Sequence, residues 1–243
     1  MPFTFSHPAL ILPLQKYFGK WFSLTGLMVG SMVPDFEYFL QLRTRRSFSH
    51  AIPGVFYFDL PLAFLLTFIF HGIVRNSLFN NLPDFFKRRF IRYVTFNWPK
   101  YFKVHWFIIF LSIMIGIASH LLWDGFTHIH GYFVHKIPFL QKNVMIRDFQ
   151  IPYYRIFQHA SSILGGFIVL IAIYRLPQQK IESTKINLTY WLFIALMSGV
   201  FLALEFGMGI HQLIAWHMVV SIMSGAMLGS ILFPLFNRIN NAA

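Results

Sequence analysis

The run VHWFIIFLSIMIGIASHLLW, Val104–Trp123, decides the fold class. It holds no Lys, Arg, Asp or Glu. At about 1.5 Å of helical rise per residue it spans the roughly 30 Å hydrocarbon core of a bilayer. Outward from it, four further runs are long and mostly apolar: Ile52–Val74, Ile156–Leu176, Leu188–Phe206 and Gln212–Phe236. The stretch Pro8–Val33 differs. Lys16 and Lys20 interrupt it and leave Trp21–Val33 too short to cross alone, which predicts a helical hairpin or a helix packed near the interface. The chain reads as an all-α, polytopic membrane helical bundle of about five spanning helices plus an N-terminal helical segment. No repeat, linker or second domain breaks it, so 1–243 is expected to be a single membrane domain, with 171–243 supplying additional spans. Gly26 with Gly30, and Gly225 with Gly229, have the small-xxx-small spacing of closely packed helices. Pro177–Asn187 and the longer stretches Arg75–Lys103 and Asp124–Arg155 read as loops.

Composition agrees. Apolar residues make up 56% of the chain and charged residues 12%, with a mean hydropathy of +0.58. An ordinary soluble domain is about 45–50% apolar and about 25% charged. This excludes disorder, collagen-like fibres and coiled coils, and argues against a soluble enzyme. The net charge of +12 would suggest nucleic acid in a soluble protein. Here the basic residues sit between the apolar runs, where they meet lipid headgroups. Membrane lipid is therefore the expected partner, and nucleic acid is not. Met1–Leu14 has no positive charge ahead of its apolar stretch and no small-residue cleavage site, so no signal peptide is expected. The chain has no Cys, so a transition metal would be held by His and carboxylate, which suits zinc, manganese or iron.

Threading the five spans through a bilayer sorts the loops onto two faces. Lys and Arg number eleven on the face reached after the first span and nine on the face from which that span enters, a small excess favouring the former as cytoplasmic. The entry face collects most of the unusual polar residues: His7, Asp35, His50, His120, Asp124, His128, His130, His135, Asp148, His159 and His211. Only His71 and His105 fall clearly on the other. Ionisable residues at the edge of the apolar layer are costly and usually functional.

The densest stretch is Ser119-His120-Leu121-Leu122-Trp123-Asp124-Gly125-Phe126-Thr127-His128-Ile129-His130-Gly131. His120 and Asp124 are i,i+4 and project from one helix face. Such a pair can ligate one ion, with the carboxylate free to bridge to a second. Turns at Gly125 and Gly131 would bring His128 or His130 back to the same point. Imidazole and carboxylate are the ligands of catalytic zinc sites. Taken singly, each residue has a plainer reading: a hydrogen-bonded His–Asp pair on a helix, Asp35 and Glu37 as acids in a first helical turn, Thr4-Phe5-Ser6-His7-Pro8 as a helix start with Pro at its first position. The set on one face favours a metal site. Asp59 either orients a ligating His or accepts a hydrogen bond from a neighbouring helix, and Glu205 is a candidate partner of His211. Trp98, Tyr101, Trp106, Tyr153, Tyr154, Tyr190 and Trp191 read as an interfacial aromatic belt. No nucleophile elbow, phosphate-cradling Gly loop or H-E-x-x-H occurs.

The opening Pro2-Phe3-Thr4-Phe5-Ser6-His7-Pro8, then Gly30-Ser31-Met32-Val33-Pro34-Asp35-Phe36-Glu37-Tyr38, Ser49-His50, Phe58-Asp59-Leu60-Pro61, Ser119 to His128 and Gln158-His159 together resemble a bacterial membrane-protein family of unknown function. The resemblance covers most of residues 1–170. That family is in turn similar to membrane-bound metal-dependent hydrolases and, distantly, to zinc-dependent phospholipases C. The resemblance implies a metal site within 1–170 with His7, Asp35, His50, His120 and Asp124 as ligands. His128 or His130, with His159, would complete a second metal. The phospholipases' amino-terminal ligand and later His-x-x-x-Glu pair have no counterpart here, since Ile163 stands four residues after His159. One or two divalent ions are implied, zinc by analogy, rather than three. The implied activity is hydrolysis of a phosphoester or ester in a lipid-like substrate, with Asp35 as ligand or general base and Arg43, Arg45 and Arg46 attracting a phosphate. The implied location is the bacterial cytoplasmic membrane. The rival readings are a transport or binding protein and a structural helper whose His and Asp residues are merely hydrogen-bonded.

Overall fold

The computed structural model describes residues 3–42, 48–182, 186–207 and 215–240. A short 3-10 turn, Thr4–Ser6, leads into α1 (Pro8–Phe18), whose Pro8 occupies a first-turn position that needs no intrahelical N–H. α2 (Leu24–Met32) is capped by Ser23, whose Oγ accepts from the Gly26 N–H at 3.3 Å. α1 and α2 pack on each other as a helical hairpin, one of the two forms expected for Pro8–Val33. A 3-10 turn, Val33–Asp35, and α3 (Phe36–Gln41) follow. Next come α4 (Ile52–Asn81), α5 (Asp84–Phe90), α6 (Trp98–Thr127) and α7 (Tyr132–Lys136). The chain ends in α8 (Tyr153–Tyr174), α9 (Leu188–Gly207) and α10 (Ala215–Asn240).

Among the described residues five helices are long and apolar enough to cross a bilayer: Ile52–Asn81, Trp98–Lys136, Tyr153–Tyr174, Leu188–Gly207 and Trp216–Arg238. They match the five expected spans, and they mark the chain as an integral membrane protein. Between 11 and 39% of each span's most apolar window is buried inside the protein. Ile163 and Phe167 of α8, and Leu192 and Leu196 of α9, point outward, as side chains facing lipid do. α4 contains two π-helical stretches, Val55–Asp59 and Phe70–Val74. α6 has non-helical backbone at His105.

Two expectations are corrected. Arg75–Lys103, expected as a loop, holds the end of α4, all of α5 and the start of α6. The stretch between α7 and α8 is more than a loop: β1 (Asn143–Ile146) and β2 (Phe149–Pro152) pair antiparallel, with Ile146 opposite Phe149. The turn joining them holds Asp148 and Arg147, the latter at φ 53°. Asp148 is a common turn residue, but Arg147 is not one that favours positive φ, and without Gly or Asn the pair lacks the usual hairpin signature.

The described residues gather into two compact units. The first draws on Met1–Asp35, Phe48–Ala63 and His105–Ala172, and the second on Phe36–Ser47, Phe64–Val104 and Ile173–Ala243. In the first unit α2 meets α6 backbone to backbone. A Cβ on Gly30 would collide with Ile113, and one on Gly116 would collide with the Leu27 carbonyl. Bare backbone on both sides permits this approach, which in a membrane replaces the hydrophobic drive that lipid removes. In the second unit α9 and α10 pack through Gly225, which lies against Met197 and Ser198. Tyr190 stacks edge-on against Phe233 at 5.0 Å.

Candidate metal centre

Four segments of the first unit converge on one buried point. The first is the turn before α1. The Ser6 hydroxyl donates to the Ser162 carbonyl at 2.6 Å, and the Phe3 N–H to Ser162 Oγ at 3.3 Å. Gly165 permits this contact, since a Cβ there would lie 2.9 Å from the Ser6 carbonyl oxygen. The turn so anchored aims His7 inward. His7 Nδ1 lies 3.2 Å from the Thr4 carbonyl. A carbonyl only accepts, so Nδ1 carries the proton, and Nε2 presents its lone pair 3.5 Å from Asp124 Oδ1.

The second segment is Val33–Asp35. Asp35 is fully buried. Its Oδ2 accepts from the Thr4 hydroxyl at 2.7 Å, and its Oδ1 lies 3.7 Å from His120 Nε2. The third is Ser49-His50, ahead of α4. His50 Nδ1 bonds with the Ser49 hydroxyl at 2.8 Å, and Nε2 lies 3.2 Å from Asp124 Oδ2. The fourth is α6. His120 and Asp124 do share one face, with His120 Nε2 3.6 Å from Asp124 Oδ2. The Gly30–Gly116 approach has a further consequence one turn along α6. It brings the Ser31 carbonyl to 2.8 Å from His120 Nδ1, which therefore donates and leaves Nε2 as an acceptor. The His7 and His120 rings stack at 3.9 Å.

Asp35, His50, His120 and Asp124 form a group able to hold a metal ion. One ligand atom from each lies within 4.8 Å of all the others. Separations of 3.5–3.7 Å are too long for hydrogen bonds. They approach the ~3.3 Å between two ligands of a tetrahedral ion with bonds near 2.0 Å. His7 Nε2, His120 Nε2 and Asp35 Oδ1 are buried and have no hydrogen-bond partner among the described residues. Each such atom costs about 1–3 kcal/mol if nothing binds it. Two carboxylates also bring two negative charges out of solvent, and a divalent cation neutralises both. The donor set fits a metal.

His128 reaches the cluster in another role. The Gln158 amide donates to His128 Nε2 at 3.0 Å, so Nδ1 bears the proton. Nδ1 lies 3.2 Å from Asp124 Oδ1 and 3.3 Å from Thr127 Oγ1. His128 thus orients the Asp124 carboxylate, where sequence reasoning made it a ligand. His130 and His159 are exposed and stand outside the group. Gln158, beside His159, is the buried residue that faces the site. Its signal was the stripe Gln158, Ser161, Ser162 and Gly165, spaced i, i+3, i+4, i+7, which marks the packed face of α8. Thr4, Ser31 and Ser49 also support ligands and were not singled out. Asp59 is buried, and its π-helical stretch packs on Val33–Asp35. Arg43, Arg45, Arg46 and His211 lie outside the described residues. The Glu205 carboxylate, expected to meet His211, accepts from the Ser221 hydroxyl and lies 3.8 Å from His217 Nδ1.

No curated protein and no solved structure matches this chain. A family model described as a domain of unknown function, DUF4184, matches residues 1–235. All the ligand-bearing segments, and all five spans but the last residues of the fifth, fall inside that match. The chain belongs to the DUF4184 family of domains of unknown function.

Proposed function

We propose that the protein is a membrane-embedded, metal-dependent hydrolase of the bacterial cytoplasmic membrane, acting on a phosphoester or ester of a lipid-like substrate. One observation carries this reading: the Nε2 atoms of His7, His50 and His120 all turn toward the Asp124 carboxylate, with Asp35 Oδ1 beside them. Backbone carbonyls of Thr4 and Ser31 fix two of those tautomers, an outer support typical of metal-ligating imidazoles. Zinc fits this nitrogen and oxygen set, and Asp124, touched from both oxygens, suits one or two ions. Such an ion supplies Lewis-acid polarisation and lowers the pKa of a water to about 7. The chain's own residues do the rest. They hold both carboxylates in a pocket closed to bulk solvent, where electrostatic interactions are strong. Asp35, fixed through Oδ2 by Thr4, presents Oδ1 as ligand or as proton acceptor.

The test is metal analysis of protein purified in detergent. Native protein is expected to retain stoichiometric zinc or a related divalent ion, and His120→Ala to lose it. Stripping the metal should lower thermal stability, by about 2.7 kcal/mol for an ion held at a hundred times its Kd. Metal-free native protein that also takes up none would overturn the reading. Asp35→Asn separates the two roles of that residue. Metal retained with turnover lost assigns proton transfer, and loss of both assigns ligation.

A further inference from the structure

An apolar groove of about 590 Å³ runs beside the cluster in the first unit. Its walls come from α6, from α8, from α1 and from the segment that follows α7. Its volume is that of a small-molecule site. The few polar groups in the wall are already engaged. The Trp123 indole N–H donates to Ser161 Oγ at 3.1 Å, and the Thr127 hydroxyl to the Trp123 carbonyl at 3.1 Å. A sugar, a nucleotide or a peptide backbone would find little to bond with there. A hydrocarbon chain needs nothing more.

Two features choose among apolar occupants. The groove is built on two spanning helices at the ends joined by the α6–α8 connection, and its rim residues Leu122, Phe126 and Phe157 are exposed. It is therefore continuous with the lipid-facing surface. Its inner wall is shared with the metal centre. Trp123 packs against His7 with ring centroids 5.4 Å apart, and Thr127 Oγ1 lies 3.3 Å from His128 Nδ1. A molecule seated there has its chain on Leu122 and Phe126 and its chain-bearing end next to the ligands.

We infer that this groove seats one hydrocarbon chain of a membrane lipid, placing the group that follows the chain, an ester or phosphoester, at the metal centre. The substrate class is then an amphiphile whose reactive group lies close to its chain. The groove as a lipid seat stands on its own walls; its assignment as a substrate subsite rests on the hydrolase reading.

The probe is a phosphatidylglycerol with a diazirine in one acyl chain, added to detergent-purified protein and photolysed. Intact mass counts adducts and peptide mapping locates them. We expect one predominant adduct, on Leu122–Phe126 or around Phe157, several-fold enriched over the equally lipid-facing Ile163 and Phe167 of the same α8. Leu122→Trp, which fills the groove from an exposed rim position, should remove that enrichment without changing metal content. Phe157→Trp serves the same purpose if the first variant does not fold. Adducts spread evenly over α8, or unaffected by both variants, overturn the inference. So does a co-purified protein helix cross-linked there in place of lipid. Metal content of the same samples reports separately on the hydrolase reading: metal-free protein that still gives the single adduct retains the lipid seat and loses the enzyme.

Discussion

Two buried polar clusters, one in each unit, are built from similar parts and end differently. In the second unit Arg75 donates to the Phe96 carbonyl at 2.7 Å, the Val94 carbonyl at 2.9 Å, Asn76 Oδ1 at 2.9 Å and His71 Nδ1 at 3.1 Å. His71 in turn stacks flat on Trp98 at 4.4 Å. The guanidinium so meets four acceptors, while the buried Trp98 indole N–H has no hydrogen-bond partner among the described residues. In the first unit the outward nitrogens of His7 and His120 are spent on carbonyls in the same way. Their inward Nε2 atoms face two carboxylates, which also only accept when ionised. Acceptors facing acceptors need a proton or a cation between them. The second cluster holds one imidazole, His71, and the first holds four around Asp124; the sign of the groups that meet, donors on acceptors or acceptors on acceptors, is what separates a structural cluster from a binding one.

The widest separation between the two comes from removing the central group of each. Asp124→Ala takes away the carboxylate that His7, His50 and His120 all approach, and metal content is expected to fall to background. Arg75→Gln removes charged hydrogen bonds from a side chain that is 6% exposed and should cost about 2 kcal/mol of stability, read by thermal denaturation in detergent, with metal content unchanged. Equal metal loss in both variants would mean that metal content merely tracks folding, and the contrast between the clusters would fail.

A smaller effect is expected one bond further out. Thr4 is the residue that orients Asp35, and Thr4→Val keeps its shape while deleting the hydroxyl. Outer-shell partners of this kind are worth about 10–100-fold in metal affinity. Titration of stripped protein with zinc should show a drop in that range with the thermal midpoint of the metal-free form preserved. An unchanged affinity would demote Asp35 from the ligand set and leave the site to Asp124 and its imidazoles.

How far the chain could be read in advance follows the range of each interaction. The spans were legible because hydrophobicity over about 20 residues is a local property. The broken hairpin at Lys16 and Lys20 was legible for the same reason. The i,i+4 pair His120–Asp124 needed only helical geometry. What stayed hidden depends on partners distant in sequence. The Ser31 carbonyl reaches His120 only because Gly30 and Gly116 let two helices touch. Small-residue spacing at Gly26 and Gly30 announced close packing but not its target. The β1–β2 hairpin was missed because Arg147, not Gly or Asn, takes the positive-φ position of its turn. On α8 the error was rotational: adjacent residues in a helix point about 100° apart, and residue type favoured His159 where packing favoured Gln158.

That rotation supplies the finest test of the contrast between a binding cluster and a merely polar surface. Gln158 holds His128 from behind, and His128 holds Asp124. Gln158→Ala frees the imidazole to turn, but leaves every ligand in place. The expected loss in zinc affinity is therefore at the low end for an outer partner, about tenfold. His159 is exposed on the neighbouring helical position, and His159→Ala should leave affinity unchanged. The two variants remove neighbouring side chains from one helix, so a general weakening of α8 would affect both alike. If the larger loss came instead from His159→Ala, α8 would have to be rotated in the metal-bound protein, with His159 entering the ligand set and Gln158 turning outward.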